Sequence, residues 1–222
     1  GAIDLRNDLA ARFDFGKRGT DQFPNFAASK RYKNCAVQTA GIEYEEGAIP
    51  DSSAIRLKSK NGEIRSNLFG SESNLTIVLQ VRIDRLRPMS NILFTAGENH
   101  NAPGTVLFQL IGSGDLNLRV RGKEENQYFH AASVISSSQF GVWTKLGVVF
   151  DEKNRAISFW KDGQLLKKLE WNDPVPISLA NLSFMNGMID RKSDRTHLYG
   201  AIQNVLIFNS ALGAEDLESI TK

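Results

Sequence analysis

The chain has 222 residues, 41% of them hydrophobic, long enough and apolar enough for one sizeable core. Its 27 basic and 25 acidic side chains nearly cancel, at a formal charge of +2, and leave no basic field for nucleic acid or an anionic membrane. Cys35 is the only cysteine, which excludes an internal disulfide and a thiolate-rich zinc site, and no apolar run approaches the ~20 residues that span a bilayer.

The sequence opens Gly1-Ala2-Ile3-Asp4 without a methionine. Residues 1–8 read as a tether or as the remnant of a trimmed start, so a missing leader carries no information. A strand is expected over Leu9–Phe15. Residues 16–53 are rich in Asn, Ala, Gly and charge, and read as long loops wrapping the strands that follow. After a strand at Ala54–Lys58 and an Asn61-Gly62 turn comes "NLTIVLQVRID", from Asn74 to Asp84. Here Ile77, Leu79, Val81 and Ile83 alternate with Thr76, Gln80, Arg82 and Asp84, a period of two that only a strand places on opposite faces.

Further strands are expected at Asn91–Ala96, Thr105–Ile111, Asp115–Arg121 and Gln127–Val134, punctuated by Gly112-Ser113-Gly114 and Arg121-Gly122. Next comes "WTKLGVVFDEKNRAISFWKDGQLLKKLEW", Trp143 to Trp171, which holds all three tryptophans. It reads as three antiparallel strands, with Asp162-Gly163 as a two-residue hairpin turn that needs positive φ at both positions. Strands at Leu179–Met185 and Gly200–Phe208 follow. The one helix expected is terminal, Ala214–Thr221, with Glu215 and Asp216 placed to match its dipole. No linker or internal repeat divides the chain, so residues 9–222 read as one antiparallel sandwich.

"WTKLGVVFD" followed by "ISFWKDGQ" resembles the strand–turn–strand signature of laminin-G-like domains in the concanavalin A-like lectin/glucanase superfamily. "LAARFDFG", "GAIPDSSAIRLKSKNGEI", "NLTIVLQVRI" and "LYGAIQNVLIFNSALGAEDLESI" are similar to that family's first strand, following pair, central strand and closing pattern, in the same order. The resemblance implies an all-β jelly-roll sandwich of two curved antiparallel sheets with a short C-terminal helix. It also implies carbohydrate, calcium or protein binding, often in exported bacterial proteins at the cell surface, outside the cell or in the periplasm.

Site residues follow from chemistry weighed against plainer roles. Many relatives hold calcium near the sandwich edge with acidic side chains. This chain has Gln203 and Asn204 where acids often stand, which disfavours such a site, although Asp14 and Asp51 remain as donors. No Glu-x-Asp-x-(x)-Glu strand motif supplies the paired carboxylates of a glycosidase. Glu43-Tyr44-Glu45-Glu46 reads as an irregular acidic cluster, and Glu215-Asp216-Leu217-Glu218 as a solvated helix face. His100, His130 and His197 are scattered, and no nucleophile elbow is present.

Arg82, Arg119 and Arg121, with Gln80, Gln109 and Asn117, point outward on strands that could be neighbours, and Tyr128 and His130 extend the row. Such a face offers bidentate donors and a ring to stack on; the plain alternative is the solvated outer face common to antiparallel sheets. Trp171, at a strand end before "NDP", is a stacking candidate or a packing residue, while Trp143 and Trp160 read as scaffold. The polar loops Gly97–Gly104 and Asn186–His197 are long enough to contact a ligand. The expected function is a non-catalytic carbohydrate-binding module with no required cofactor and a poly- or oligosaccharide partner. A divergent glycoside hydrolase or lyase and a protein-interaction module remain as alternatives.

Overall fold

Apolar residues at every second position need a partner layer, and two sheets supply it for one another. The computed structural model describes residues 4–16, 21–187 and 197–221. In chain order the strands are β1 (Leu9–Asp14), β2 (Gln22–Pro24), β3 (Ala36–Ala40), β4 (Ile42–Glu46), β5 (Ser53–Leu57), β6 (Glu63–Ser66), β7 (Ser71–Glu72), β8 (Asn74–Arg85), β9 (Asn91–Ala96), β10 (Val106–Leu110), β11 (Leu116–Arg121), β12 (Asn126–Ala131), β13 (Trp143–Asp151), β14 (Ala156–Lys161), β15 (Gln164–Glu170), β16 (Ile177–Ser178), β17 (Ser183–Phe184) and β18 (Tyr199–Phe208), followed by helix α1 (Ala214–Thr221). Among the described residues the first sheet runs β15-β14-β13-β8-β18-β5-β4, with β1 also paired to β18. The second runs β12-β11-β10-β9-β17-β6-β3-β2, and β16 and β7 form a small third pair. All pairings are antiparallel. The fold is an all-β, jelly-roll-like sandwich with a short C-terminal helix.

The main core lies between the two large sheets. β8 sends Leu75, Ile77, Leu79, Val81 and Ile83 into it, and β10 and β11 face them with Val106, Phe108, Leu110, Leu116, Leu118 and Val120. Phe108 and Phe159 stack across the sheets at 6.0 Å, and Phe94 closes on Phe108 at 5.2 Å. A second, smaller core sits on the other side of the first sheet. There α1 buries Leu217 against Val78, Val149, Trp160, Phe208 and Leu212, with Leu5 and Leu9 packed at its margin.

The helix is tied down at both ends. Thr76 Oγ1 donates to Ser210 O at 2.8 Å and accepts from Leu212 N at 3.0 Å just before α1. Lys145 Nζ donates to Thr221 O at 3.0 Å, placing a cation on the negative end of the helix. This second core corrects the expected alternation in two strands. Thr76 and Ser158, on the faces opposite the apolar rows of β8 and β14, are buried there, and Trp160, read as scaffold, is buried with them. The Trp160 indole N–H donates to Ser158 Oγ at 2.8 Å, so the pair is satisfied under the helix.

Trp143 to Trp171 forms β13, β14 and β15 as expected, and Asp162 and Gly163 take φ values of 49° and 80°. Two expectations differ. Residues 16–53 contribute three strands, β2, β3 and β4, rather than loops only. Leu179–Met185 shrinks to the two-residue β17, because Asn181 and Met185 on either side adopt positive φ that a strand does not hold.

Candidate functional site

Register decides which outward side chains are neighbours. On the second sheet one transverse row of Cα partners runs Tyr128–Arg119–Leu107–Thr95–Ser183–Arg65–Gln38–Gln22, crossing all eight strands. Apart from Leu107 every member carries a polar group. Its inward neighbours, such as Leu118, Phe129 and Phe108, are buried in the main core, so this row lines the outer face.

At one end stands Tyr128, 66% exposed on the edge strand β12. Arg119 lies beside it on β11, and His130 and Asn117 form the next paired position along the two strands. His130 is oriented from below: its Nε2 lies 3.2 Å from Asp115 Oδ2. Asp115 Oδ1 accepts from Ser133 N at 2.7 Å, holding the left-handed Ser133 that ends the strand. The Ser133 N–H, ahead of the His130 ring, keeps the Asp115 carboxyl below its usual range despite partial burial. At the other end Arg65 donates to Asn181 Oδ1 at 2.6 Å, and these two line a cleft of about 470 Å³ with Gln38, Asn67 and Ala180. The middle of the row, Thr95 and Ser183, is small and closed. The face therefore offers an aromatic platform, a guanidinium, an imidazole and amides on one side of the sandwich.

Of the residues expected on the polar face, Arg119, Arg121, Gln109, Asn117, Tyr128 and His130 belong to this sheet. Arg121 stands at the end of β11 and spends one donor on Glu124 O at 2.8 Å, so it braces the turn into β12. Arg82 is a correction. It lies on β8 in the first sheet, on the opposite side of the molecule from Arg119, and the expected single row of arginines does not exist. Its Nε donates to Asp84 at 2.7 Å, its Nη2 to Glu45, and its guanidinium lies 5.6 Å from the Trp143 ring centroid. The hydrogen bond to Asp84 raises its pKa further, so it is a fixed cation already paired. Trp171 is the second correction. It is fully buried, 6.1 Å from the Phe150 ring, because the chain turns inward after β15.

The acidic run Glu43–Glu46 is a strand edge, not an irregular cluster. Glu43 and Glu45 face Arg56 at 3.5 and 3.8 Å, and Glu45 also meets Arg82, giving a ladder of neutralised charge. Among the described residues no three His, Cys, Asp or Glu side chains gather as metal ligands. Where the family resemblance places calcium, Gln203 Oε1 accepts from Ala48 N at 2.7 Å and Asn204 Nδ2 donates to Gln80 at 3.1 Å. Among the described residues Asp14 is a carboxylate that lines the clefts beside Asn204.

The loop Gly97–Gly104 is pinned: Gly104 N donates to Arg121 O and its carbonyl accepts from Ser178 N, while a side chain at Gly104 would meet Pro176 O at 2.2 Å. Most of Asn186–His197 lies outside the described residues. Sequence reasoning missed the Gln22–Gln38–Arg65 half of the row, because those residues sit in segments read as loops or left unassigned.

The model of the concanavalin A-like lectin/glucanases superfamily matches residues 56–218. The chain belongs to this superfamily. No curated protein sequence matches it. Among solved structures, the binding domain of Paraclostridial Mosquitocidal Protein 1 is similar, at 15% identity and a TM-score of 0.71, over 98% of this chain and 52% of that one. Domain 4 of AbnA, a GH43 extracellular arabinanase from Geobacillus stearothermophilus solved with arabinotriose, is similar at 18% identity and a TM-score of 0.69, over 97% of this chain and 98% of its own. The Ruminococcus gnavus IT-sialidase CBM40 bound to alpha2,6 sialyllactose gives 15% identity and a TM-score of 0.56, over 68% and 85%. The chain spans about half the length of the mosquitocidal binding domain, and nearly all of the arabinanase domain. At these identities the likeness is one of fold.

Proposed function

We propose that this chain is a non-catalytic carbohydrate-binding module of an exported bacterial protein, acting outside the cytoplasm and taking glycan on the outer face of its second sheet. The observation that carries the reading is the exposed Tyr128 ring in register with Arg119, next to a His130 oriented by Asp115. A sugar ring stacks its apolar C–H face on Tyr128 while its hydroxyls meet Arg119, His130 and Asn117, and the contact is shallow and reversible. Two similar solved domains support the reading, one holding arabinotriose and one sialyllactose. The reading requires no metal.

The test is a glycan array, run in chelator, with wild type and Tyr128→Ala. Wild type is expected to bind a defined set of glycans. Tyr128→Ala loses at least about tenfold in affinity, as removal of an aromatic anchor does, while its thermal midpoint is unchanged because the ring is exposed. An array silent to wild type, or a Tyr128→Ala variant that binds as well, overturns the reading.

A further inference from the structure

The outer face of the first sheet carries its own groove, on the opposite side of the sandwich from Tyr128. Two adjoining clefts share Asp14 and Asn204. One, of about 320 Å³, runs over Val78 and Leu206 to the helix α1; the other, of about 630 Å³, lies between Phe26 and Ile49. Asp14, Asn204, Gln80 and Lys145 are Cα partners in a row across β1, β18, β8 and β13, forming a polar stripe between these apolar walls.

The exposure of the two apolar walls is built in. Phe26 is 53% exposed, yet its turn is locked: Asn25 Oδ1 accepts from Arg12 N and Ala27 N, Asn25 Nδ2 donates to Ala10 O and Tyr32 O, and Phe26 N donates to Arg12 O. Ile49, 66% exposed, rides on a turn closed by Ser52, whose Oγ donates to Ile49 O at 2.6 Å and accepts from Ile49 N. Rigid turns holding a ring and an aliphatic group beside a stripe of amides and a carboxylate fit a ligand with one apolar and one hydroxyl-rich edge. Two cations, Arg12 and Lys145, stand against one carboxylate, Asp14, but both are engaged: Arg12 lies over the Phe26 ring at 5.7 Å, and Lys145 is committed to Thr221 O. A neutral ligand suits that balance better than an ion.

We infer that this groove is a second binding site for a neutral oligosaccharide, stacking on Phe26 and hydrogen bonding to Asp14, Asn204 and Gln80. The inference rests on the glycan-binding reading above and makes the module bivalent, with sites facing opposite ways. A bivalent module bridges separate polysaccharide chains, which a monovalent one cannot do.

Soluble arabinan, xylan and galactan serve as probes, with affinity electrophoresis for binding and light scattering for bridging. The variants are Phe26→Ala, Asn204→Ala, Tyr128→Ala and the Phe26→Ala/Tyr128→Ala double. For at least one polysaccharide, wild type is expected both to bind and to form scattering complexes. Phe26→Ala and Asn204→Ala keep binding, weakened at least about threefold, Tyr128→Ala keeps residual binding, weakened at least about tenfold, and each single variant loses the scattering; the double loses both. If wild type binds without scattering, or Phe26→Ala or Asn204→Ala behaves as wild type, the second site is overturned, and the Tyr128 site stands where Tyr128→Ala still weakens binding. Binding to none of the polysaccharides by any form of the protein removes both.

Discussion

Trp171 rests against Phe150 with no solvent exposure, and its indole N–H has no hydrogen-bond partner among the described residues. Two opposed effects meet at this side chain. Truncation opens a large cavity, which costs about 3–5 kcal/mol for a buried aromatic. The orphaned N–H already costs about 1–3 kcal/mol. Trp171→Ala is therefore expected to lower urea stability by about 3–5 kcal/mol, and Trp171→Phe by far less, since it removes the orphan while keeping most of the ring. Equal losses in the two variants would contradict this balance. Asp115 gives a second prediction at this scale. Its carboxyl is held below its unfolded value by the Ser133 N–H and the His130 ring. A depressed folded pKa contributes stability that is present above the unfolded value and lost as pH falls through the folded one. Wild type is expected to lose this contribution below about pH 4, whereas Asp115→Asn is less stable at neutral pH and shows a shallower acid limb in pH-dependent thermal melts.

Among the elements, the β14–β15 hairpin shows how a local signal and a distant contact share one residue. Asp162 and Gly163 both take positive φ, which fits the turn read from the sequence. Asp162 also accepts from Lys145 N at 2.8 Å and from Thr144 Oγ1, so its carboxylate secures the neighbouring β13 as well. Gly163 lies under the helix: a Cβ there would meet Thr221 Oγ1 at 2.4 Å and Glu218 Cα at 3.3 Å. Gly163→Ala is expected to cost about 1–3 kcal/mol through the left-handed backbone, with added crowding of α1, read as a lowered denaturation midpoint. A loss confined to a few tenths of a kcal/mol would show that the helix gives way freely. The strands themselves were legible because Ile77, Leu79, Val81 and Ile83, or Leu116, Leu118 and Val120, alternate cleanly. Short β2 was not, since three residues carry no period, and β17 was read only as part of the longer Leu179–Met185.

For the molecule as a whole, α1 converts the first sheet from a one-faced to a partly two-faced layer. Val78, Val149, Trp160 and Phe208 pack there with Leu212 and with Leu217, the buried side chain of the helix. Leu217→Ala is expected to cost about 2–5 kcal/mol and to change the near-ultraviolet dichroism of Trp160, while the glycan binding proposed for Tyr128 on the opposite sheet persists in the folded fraction. A variant as stable as wild type would mean that the second core is dispensable.

The sequence by itself determined the strand periodicity, the Asp162-Gly163 turn, the terminal helix and, through ordered motifs, the superfamily; all are local or sequential properties. Tertiary structure alone decided which outward residues meet. Alternation states that Arg82 and Arg119 both point away from the core, but not that their strands belong to different sheets, because sheet membership depends on pairings remote in sequence. For the same reason Trp171 and Tyr128, both near strand ends, part company: one is covered by a chain that turns inward, and the other is left on the rim of an edge strand.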